Sequence, residues 1–393
     1  MRILYHHRLG SKDGQYVHVE EMVRAFERAG HEVLVVGPRL SETQSFGGAS
    51  GLVDRLKRHM PQALYELIEL AYGLFAYPRL ARAARRWQPD VLYERYNLHT
   101  LTGRLLAARL RLPFLVEVNA PLAEERARYG GLALPALARW SDAHVWTHAD
   151  GVVTVSHVLA GMIEQTGVAA ERILVTPNGV DPARLADLPA RADAKQALGL
   201  ADKRVVGFTG FMRAWHGLDR LVDWLADEAP ADVVLWLVGD GPACAGLVAH
   251  AQARGVTARL HVTGVVPRDQ VLRHVAAFDI AVQPDVVAYA SPLKLIEYMA
   301  LGCAIVAPDR ANIRELLDHG DSGWLVAPEA TPAALSALLA DDNLRARLAA
   351  GAKATWQARS LTWDRSAERV IERYRALLRV DGAQAAATRT RLA

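Results

Sequence analysis

Short apolar runs alternate with helical stretches from the first residues of this chain, and few folds accommodate that rhythm. Residues 3–5 form an apolar strand. Gly10 and Gly14 bracket a loop, residues 17–28 read as a helix, and Gly30-His31 ends it before a second strand at 32–36. This is a βαβ opening, in which parallel strands are joined by crossover helices. Further apolar strands are expected at 91–93, 114–118, 152–155 and 173–176. Strands without polar alternation are buried on both faces, as in a parallel sheet covered by helices.

A polar, alanine-rich stretch from Asp181 to Lys203 interrupts the rhythm. It then resumes with strands expected at 205–209, 233–238, 260–262, 280–282 and 304–307. The 393 residues exceed what one core usually supports. The reading is therefore α/β, with two doubly wound parallel-sheet domains at 1–185 and 186–356. An amphipathic helix follows at 357–380, and the small, polar tail 381–393 reads as disordered. Such sheets bind ligands beyond the carboxyl ends of their strands, so chemistry is expected in those loops, facing a cleft between the domains.

Composition excludes several classes. A formal charge of +3 gives no reason to expect nucleic acid. Cys244 and Cys303 lie in apolar runs without metal-ligand spacing and read as buried free thiols, which suits a reducing compartment. No histidine falls in a metal-binding pattern, so no metal site is expected. The start, MRILYHHRLG, is too short and polar for a secretory signal. No apolar run reaches the ~18 residues of a membrane span; the longest, 63–77, is interrupted by Glu66 and Glu69. A cytoplasmic protein is expected. Arg55, Lys57, Arg58, Arg79, Arg82, Arg85 and Arg86 surround that stretch, so residues 52–86 form a candidate peripheral contact with anionic lipid at the inner membrane face, or else a solvated helix face.

Two constellations carry chemistry. In Tyr289-Ala-Ser-Pro-Leu-Lys-Leu-Ile-Glu297, Ser291 suits an N-cap and Pro292 a first helical position. Leu293, Ile296, Met299 and Ala300 then share a buried arc. Lys294 falls in the first turn, where a cation opposes the helix dipole unless an anion docks there. Glu297 sits beside it, placed to accept from a ribose. The second constellation, Gly210-Phe-Met-Arg-Ala-Trp-His-Gly217, follows a strand; Arg213 offers a fork for phosphate oxygens and His216 a second charge. Gly239-Asp-Gly-Pro242 and Asn178-Gly-Val-Asp181 are turn chemistry without a distinct role. In the first domain, Gly14-Gln15 opens a helix, and Tyr93, Glu94, Arg95, Glu117 and Asn119 end strands. They suit a polyhydroxylated ligand, or else an internal Glu94–Arg95 or Glu117–Arg95 pair.

Taken together, Gly30-His-Glu-Val33, Val155-Ser156, Pro177-Asn-Gly-Val-Asp181, Gly239-Asp-Gly-Pro242, Ser291-Pro-Leu-Lys294, Glu297-Tyr-Met-Ala300 and Thr362-Trp-Asp364 resemble retaining GT-B glycosyltransferases of family 4. The resemblance implies an acceptor-binding first domain, a nucleotide-sugar-binding second domain, and a last helix that returns to the first. It implies catalytic roles for Arg213, Lys294 and Asn119. It implies donor contacts from Gly14, Gly210, His216, Tyr289, Ser291, Pro292, Leu295 and Glu297, and acceptor contacts from Gln15, Tyr93, Glu94, Arg95 and Glu117. No cofactor or divalent metal is implied, only a nucleotide-diphospho-sugar donor and a glycan, lipid-linked or small-molecule acceptor. Three positions depart from the family pattern. Tyr289 stands where a second glutamate is usual, His216 where a lysine is usual, and Asn119 where a histidine is usual. The expected reaction is retaining sugar transfer in surface polysaccharide or glycolipid synthesis. A sugar-nucleotide epimerase or a silent glycan-binding partner are the alternatives.

Overall fold

The computed structural model of the protein describes residues 1–10, 14–38 and 60–392. Arg55, Lys57 and Arg58 lie outside the described residues. The chain divides into two compact units, Met1–Pro177 with Trp363–Ala393, and Asn178–Thr362. The boundary thus falls earlier than 185, because the loop after the sixth strand already belongs to the second unit.

The first unit holds strands β1 (Arg2–His6), β2 (Glu32–Val36), β3 (Val91–Arg95), β4 (Phe114–Val118), β5 (Gly151–Thr154) and β6 (Ile173–Val175) in the order β2-β1-β3-β4-β5-β6. The second holds β7 (Arg204–Thr209), β8 (Val233–Val238), β9 (Leu260–Val262), β10 (Ile280–Val282), β11 (Ala304–Pro308) and β12 (Trp324–Val326) in the order β12-β11-β10-β7-β8-β9. Every pairing within the two sheets is parallel. The central strands β3, β4, β10 and β11 are buried along their whole length, as helices on both faces require. Strand β12 was not anticipated. It has three residues at a sheet edge and only its central Leu325 is buried, so it leaves little apolar pattern.

The order reverses between β1 and β3 in the first unit and between β10 and β7 in the second. Reversals of this kind open a crevice at the carboxyl ends of the two strands.

The last helix, Trp363–Leu392, belongs to the first unit. Ala367, Val370, Ile371 and Tyr374 are buried, and the Tyr374 hydroxyl donates to the Leu92 carbonyl at 2.6 Å. Each large apolar side chain so buried contributes roughly 1.5–3 kcal/mol. The helix continues through 381–392, where a disordered tail was expected, in keeping with the high helix propensity of an alanine-rich segment. Glu66 and Glu69, which interrupt the apolar stretch of helix Gln62–Trp87, both have structural partners. Glu66 accepts from the Ala133 and Leu134 N–H groups before helix Pro135–His148, and Glu69 pairs with Arg126. No helix among the described residues is long and apolar enough to cross a membrane. Both cysteines are free; Cys303 is buried as expected, while Cys244 is only half-buried.

Candidate functional site

In the second unit the loop after β7 and the helix after β10, Leu293–Ala300, meet at the strand-order reversal. Their contact depends on glycine. Gly210 has φ +125°, and a Cβ there would lie 3.0 Å from the Lys294 Nζ. The lysine therefore lies across bare backbone, with its Nζ 3.8 Å from the centre of the Phe208 ring. Burial pushes the Lys294 ammonium down to about 7, against the pull of Glu297. It forms no salt bridge among the described residues.

Two further glycines hold the β7 loop against the β8 loop. A Cβ on Gly239 would come within 2.3 Å of the Gly210 carbonyl oxygen, and one on Gly241 within 2.2 Å of that of Met212. The close approach is used for hydrogen bonds: Gly210 N–H to Val238 O at 2.9 Å and Met212 N–H to Asp240 O at 2.8 Å. The Gly-Asp-Gly turn, without a role in sequence terms, is the backing of the Gly210 loop.

The helix itself is anchored from three directions. Tyr298 is fully buried, and its hydroxyl accepts the Thr209 N–H at 2.8 Å, fixing the helix to the end of β7. The Ser291 hydroxyl accepts the Asn178 N–H at 3.2 Å, and the Ser291 carbonyl accepts from the Asn178 side chain at 2.6 Å. Ser291 is therefore not the helix cap that was expected. The cap position is Pro292, which provides no side-chain hydrogen bond. Asn312 donates to the Val287 and Ala290 carbonyls at 3.1 and 2.6 Å, and Arg310 binds Asp285 at 2.7 Å. These bonds hold the loop that carries Tyr289. Asn178, Asn312, Tyr298 and Gly239 thus build the site; Asn178, Gly239 and Tyr298 lie in stretches that carry the family resemblance, though without a role of their own there, and Asn312 lies in none.

The buried arc of the helix consists of Leu295, Ile296, Tyr298, Met299 and Ala300, with Leu293 only half-buried. Leu295 is a core residue, and its N–H is bonded to the Pro292 carbonyl, so it offers little to a ligand. Arg213 is exposed, 5.2 Å above the Phe211 ring. His216 does not supply a second charge. Its Nδ1 accepts the Arg213 N–H at 3.1 Å, and burial, with Lys294 and Arg213 nearby, pushes it down to about 2. It is a neutral brace that closes the loop on itself.

The first unit treats its strand-end residues differently. Parallel strands in register place Tyr5, Tyr93, Arg95 and Glu117 on one face, with His6 and Glu94 on the other. On the first face Glu117 accepts from Tyr93 at 2.8 Å, Arg95 at 2.6 Å and Tyr5 at 3.4 Å. His18, from helix Gly14–Arg28, lies 2.9 Å from it, and the Asn119 amide donates to it. Burial opposes ionisation of Glu117, but His18, Arg95 and the Tyr93 hydroxyl outweigh it and hold the carboxyl well below its usual range. On the other face Glu94 accepts from the Gly103 N–H at 3.0 Å and lies 2.5 Å from the His6 ring. Tyr93, Glu94, Arg95 and Glu117 are all buried. The expectation that they contact an acceptor gives way to the internal Glu117–Arg95 pair. Of that set only Gln15 is exposed, beside Gly14 at the helix start, while Asn119 is half-buried.

Two parallel six-stranded units of this kind make up the GT-B architecture, and known proteins agree. The chain matches a solved structure of Anabaena Alr3699/HepE in complex with UDP, with a TM-score of 0.74 and 20% identity over 95% of this chain and 99% of that one. Residues 12–184 match Glycosyltransferase Family 4 and residues 203–341 match Glycosyl transferases group 1. The chain is 28% identical to a D-inositol 3-phosphate glycosyltransferase of Xylanimonas cellulosilytica, over 93% of this chain and 92% of that one. It is 29% identical to a 2-deoxystreptamine glucosyltransferase of Streptomyces kanamyceticus, over 69% and 74%. The chain belongs to glycosyltransferase family 4, group 1, and it transfers sugar.

Proposed function

We propose that the protein is a retaining hexosyltransferase that uses a nucleoside diphospho-sugar. The observation that carries this is Lys294, a half-buried cation without a salt bridge among the described residues, held over Gly210 in the first turn of a helix with no side-chain cap. An anion there satisfies the ammonium, the free N–H groups and the helix dipole together. Arg213, exposed on the loop after β7, and Glu297, three residues along the helix from Lys294, suit the second phosphate and the ribose. The bond from the anomeric carbon to the diphosphate breaks, and the acceptor oxygen bonds to that carbon on the same face. The acceptor proton passes to the departing phosphate oxygen. The cations and the helix end stabilise the developing charge, so no divalent metal is invoked. Asn119, aimed by Glu117, is the first-unit residue assigned to the sugar by the family resemblance. The UDP complex of the structural relative supports a nucleotide donor, and Tyr289 in place of a carboxylate bears on which sugar it carries.

The test is calorimetric titration with UDP, GDP and ADP, followed by NMR of the product anomer. Binding of at least one, with a product that retains the donor's anomeric configuration, is expected. Failure of all three to bind overturns the reading. An epimerised nucleotide-sugar formed without acceptor would favour the epimerase class instead.

A second reading concerns location, with glycolipid or surface polysaccharide as the product. Helix Gln62–Trp87 exposes Leu64, Leu67, Ile68, Leu74 and Phe75 at helical spacing, the last two 74% and 79% exposed. Arg79, Arg82, Arg85 and Arg86 are exposed further along it. An apolar face beside a basic run suits peripheral docking on anionic lipid. Co-sedimentation with phosphatidylglycerol vesicles, lost in Leu74→Ser/Phe75→Ser, is the expected outcome.

A further inference from the structure

Strand β1 ends at His6 and is followed by His7-Arg8, and the donor chemistry above uses none of the three. With Gly37 and Pro38 after β2, and with Tyr72, Phe75 and Arg79 of helix Gln62–Trp87, they enclose a cavity of ≈ 180 Å³. It opens at the carboxyl ends of β1 and β2, the end at which such sheets bind ligands. Among the described residues two guanidinium groups and two imidazoles line it, and no carboxylate does.

Arg8 is the better-defined cation. It lies 4.5 Å over the Tyr72 ring, and its Nη1 donates to the Thr100 hydroxyl at 2.9 Å and more weakly to the Glu69 carbonyl oxygen. The Glu69 carboxylate is taken by Arg126, so Arg8 has no salt bridge among the described residues. Arg79 has none there either, and it is exposed. His7 adds a donor rather than a charge. Its Nδ1 accepts the Leu9 N–H at 3.2 Å, which leaves the proton on Nε2, and burial pushes the ring down to about 4. Glycine at 37 admits this ring, since a Cβ there would lie 2.4 Å from it. Arginine forks and an imidazole N–H, without a competing carboxylate, suit a phosphate; they repel an ammonium. Exposed Tyr72 and Phe75 give the cavity an apolar wall on one side.

We infer that this cavity is the acceptor subsite and that the acceptor carries a phosphate group, gripped by Arg8 and Arg79 with the His7 N–H, its uncharged part lying against Tyr72 and Phe75. The inference rests on the transferase reading above and narrows its acceptor to a phosphorylated hydroxyl compound, whether soluble or the headgroup of a lipid.

The experiment measures binding to the full chain by calorimetry at fixed ionic strength. The probes are myo-inositol 1-phosphate, myo-inositol and 2-deoxystreptamine, with UDP or GDP titrated in parallel. The expected result is at least tenfold tighter binding of the phosphorylated cyclitol than of either other cyclitol. Arg79→Ala is expected to weaken that binding about tenfold and Arg8→Lys about fivefold, while nucleotide affinity stays unchanged in both. Unchanged nucleotide binding also shows that the variants are folded. Equal affinity for the phosphorylated and plain cyclitols, or indifference to both substitutions, overturns the inference and leaves the donor reading intact. Loss of nucleotide binding in the unmodified protein overturns the donor reading alone. Competition by phosphatidylglycerol vesicles, sensitive to Arg79→Ala, supports the phosphate grip and points to a lipid source; a cyclitol phosphate that binds undisturbed by vesicles supports a soluble one.

Discussion

At the ends of β3 and β4 the first unit carries Tyr93, Arg95 and Glu117, while beyond β7 and β10 the second carries Arg213 and Lys294. In sequence both sets look alike: polar groups where apolar strands stop. In the first unit the carboxylate gathers two tyrosines, an arginine, a histidine and an amide, and is stabilised in its charged form. In the second, the lysine has an aromatic face and a single nearby carboxylate, and burial works against its charge. A satisfied cluster consolidates a fold. An unsatisfied charge that the surrounding structure maintains at a cost is the mark of a binding site.

The largest effect should come from Glu117→Ala, which strands Arg95 and His18 in the core. A loss of about 3–5 kcal/mol is expected by urea denaturation. The folded pKa of Glu117 is depressed, so its contribution is present above the unfolded carboxyl range near pH ~4.3 and is lost as pH falls below it. If the variant is as stable as the parent, the contrast between the units fails.

Lys294→Met should do the reverse, weakening nucleoside diphosphate binding by roughly 10–150-fold, as loss of a charged hydrogen bond of about 1.5–3 kcal/mol implies. It should leave the free protein at least as stable. Because the folded pKa lies near 7, below the unfolded value, the folded state binds fewer protons between about 7 and 10. Free-protein stability from this group therefore rises with pH through that window. Nucleotide binding at pH 8 should take up a proton, read from calorimetry in buffers of different ionisation enthalpy, and Lys294→Met should abolish the uptake.

Gly239→Ala sharpens the comparison by testing backbone rather than charge. Its Cβ would strike the Gly210 carbonyl, with a cost of about 1–3 kcal/mol in stability and weaker nucleotide binding. The smallest effect concerns His216, which is already neutral. Between pH 5 and 8 its titration should add no step to nucleotide affinity, and His216→Asn should cost about 1 kcal/mol of stability through the lost brace.

Much of this was legible in the sequence. Buried parallel strands have a near-continuous apolar signature, so β2, β4, β8, β9 and β10 coincide with the expected residues. Lys294 stood out because its charge disagreed with its place in a helix. What was not legible depended on register and on backbone proximity. Nothing in Tyr93-Glu94-Arg95 says that β3 lies beside β4 with Arg95 opposite Glu117, and that pairing decides whether the residues face a ligand or one another. The purpose of Gly239 emerges only when another loop is laid against it. Asn178 and Ser291 are joined across 113 residues of sequence, a distance at which local pattern carries no information.

The chain enters the second unit after Pro177 and leaves it before Trp363, so one unit is inserted within the other. The Leu92 carbonyl waits 282 residues for the Tyr374 hydroxyl that donates to it. During synthesis, then, the half that begins first finishes last. The inserted unit emerges whole from the ribosome while its host still lacks the helix that covers its sheet, and the nascent first half remains open until the helix that starts at Trp363 has been made.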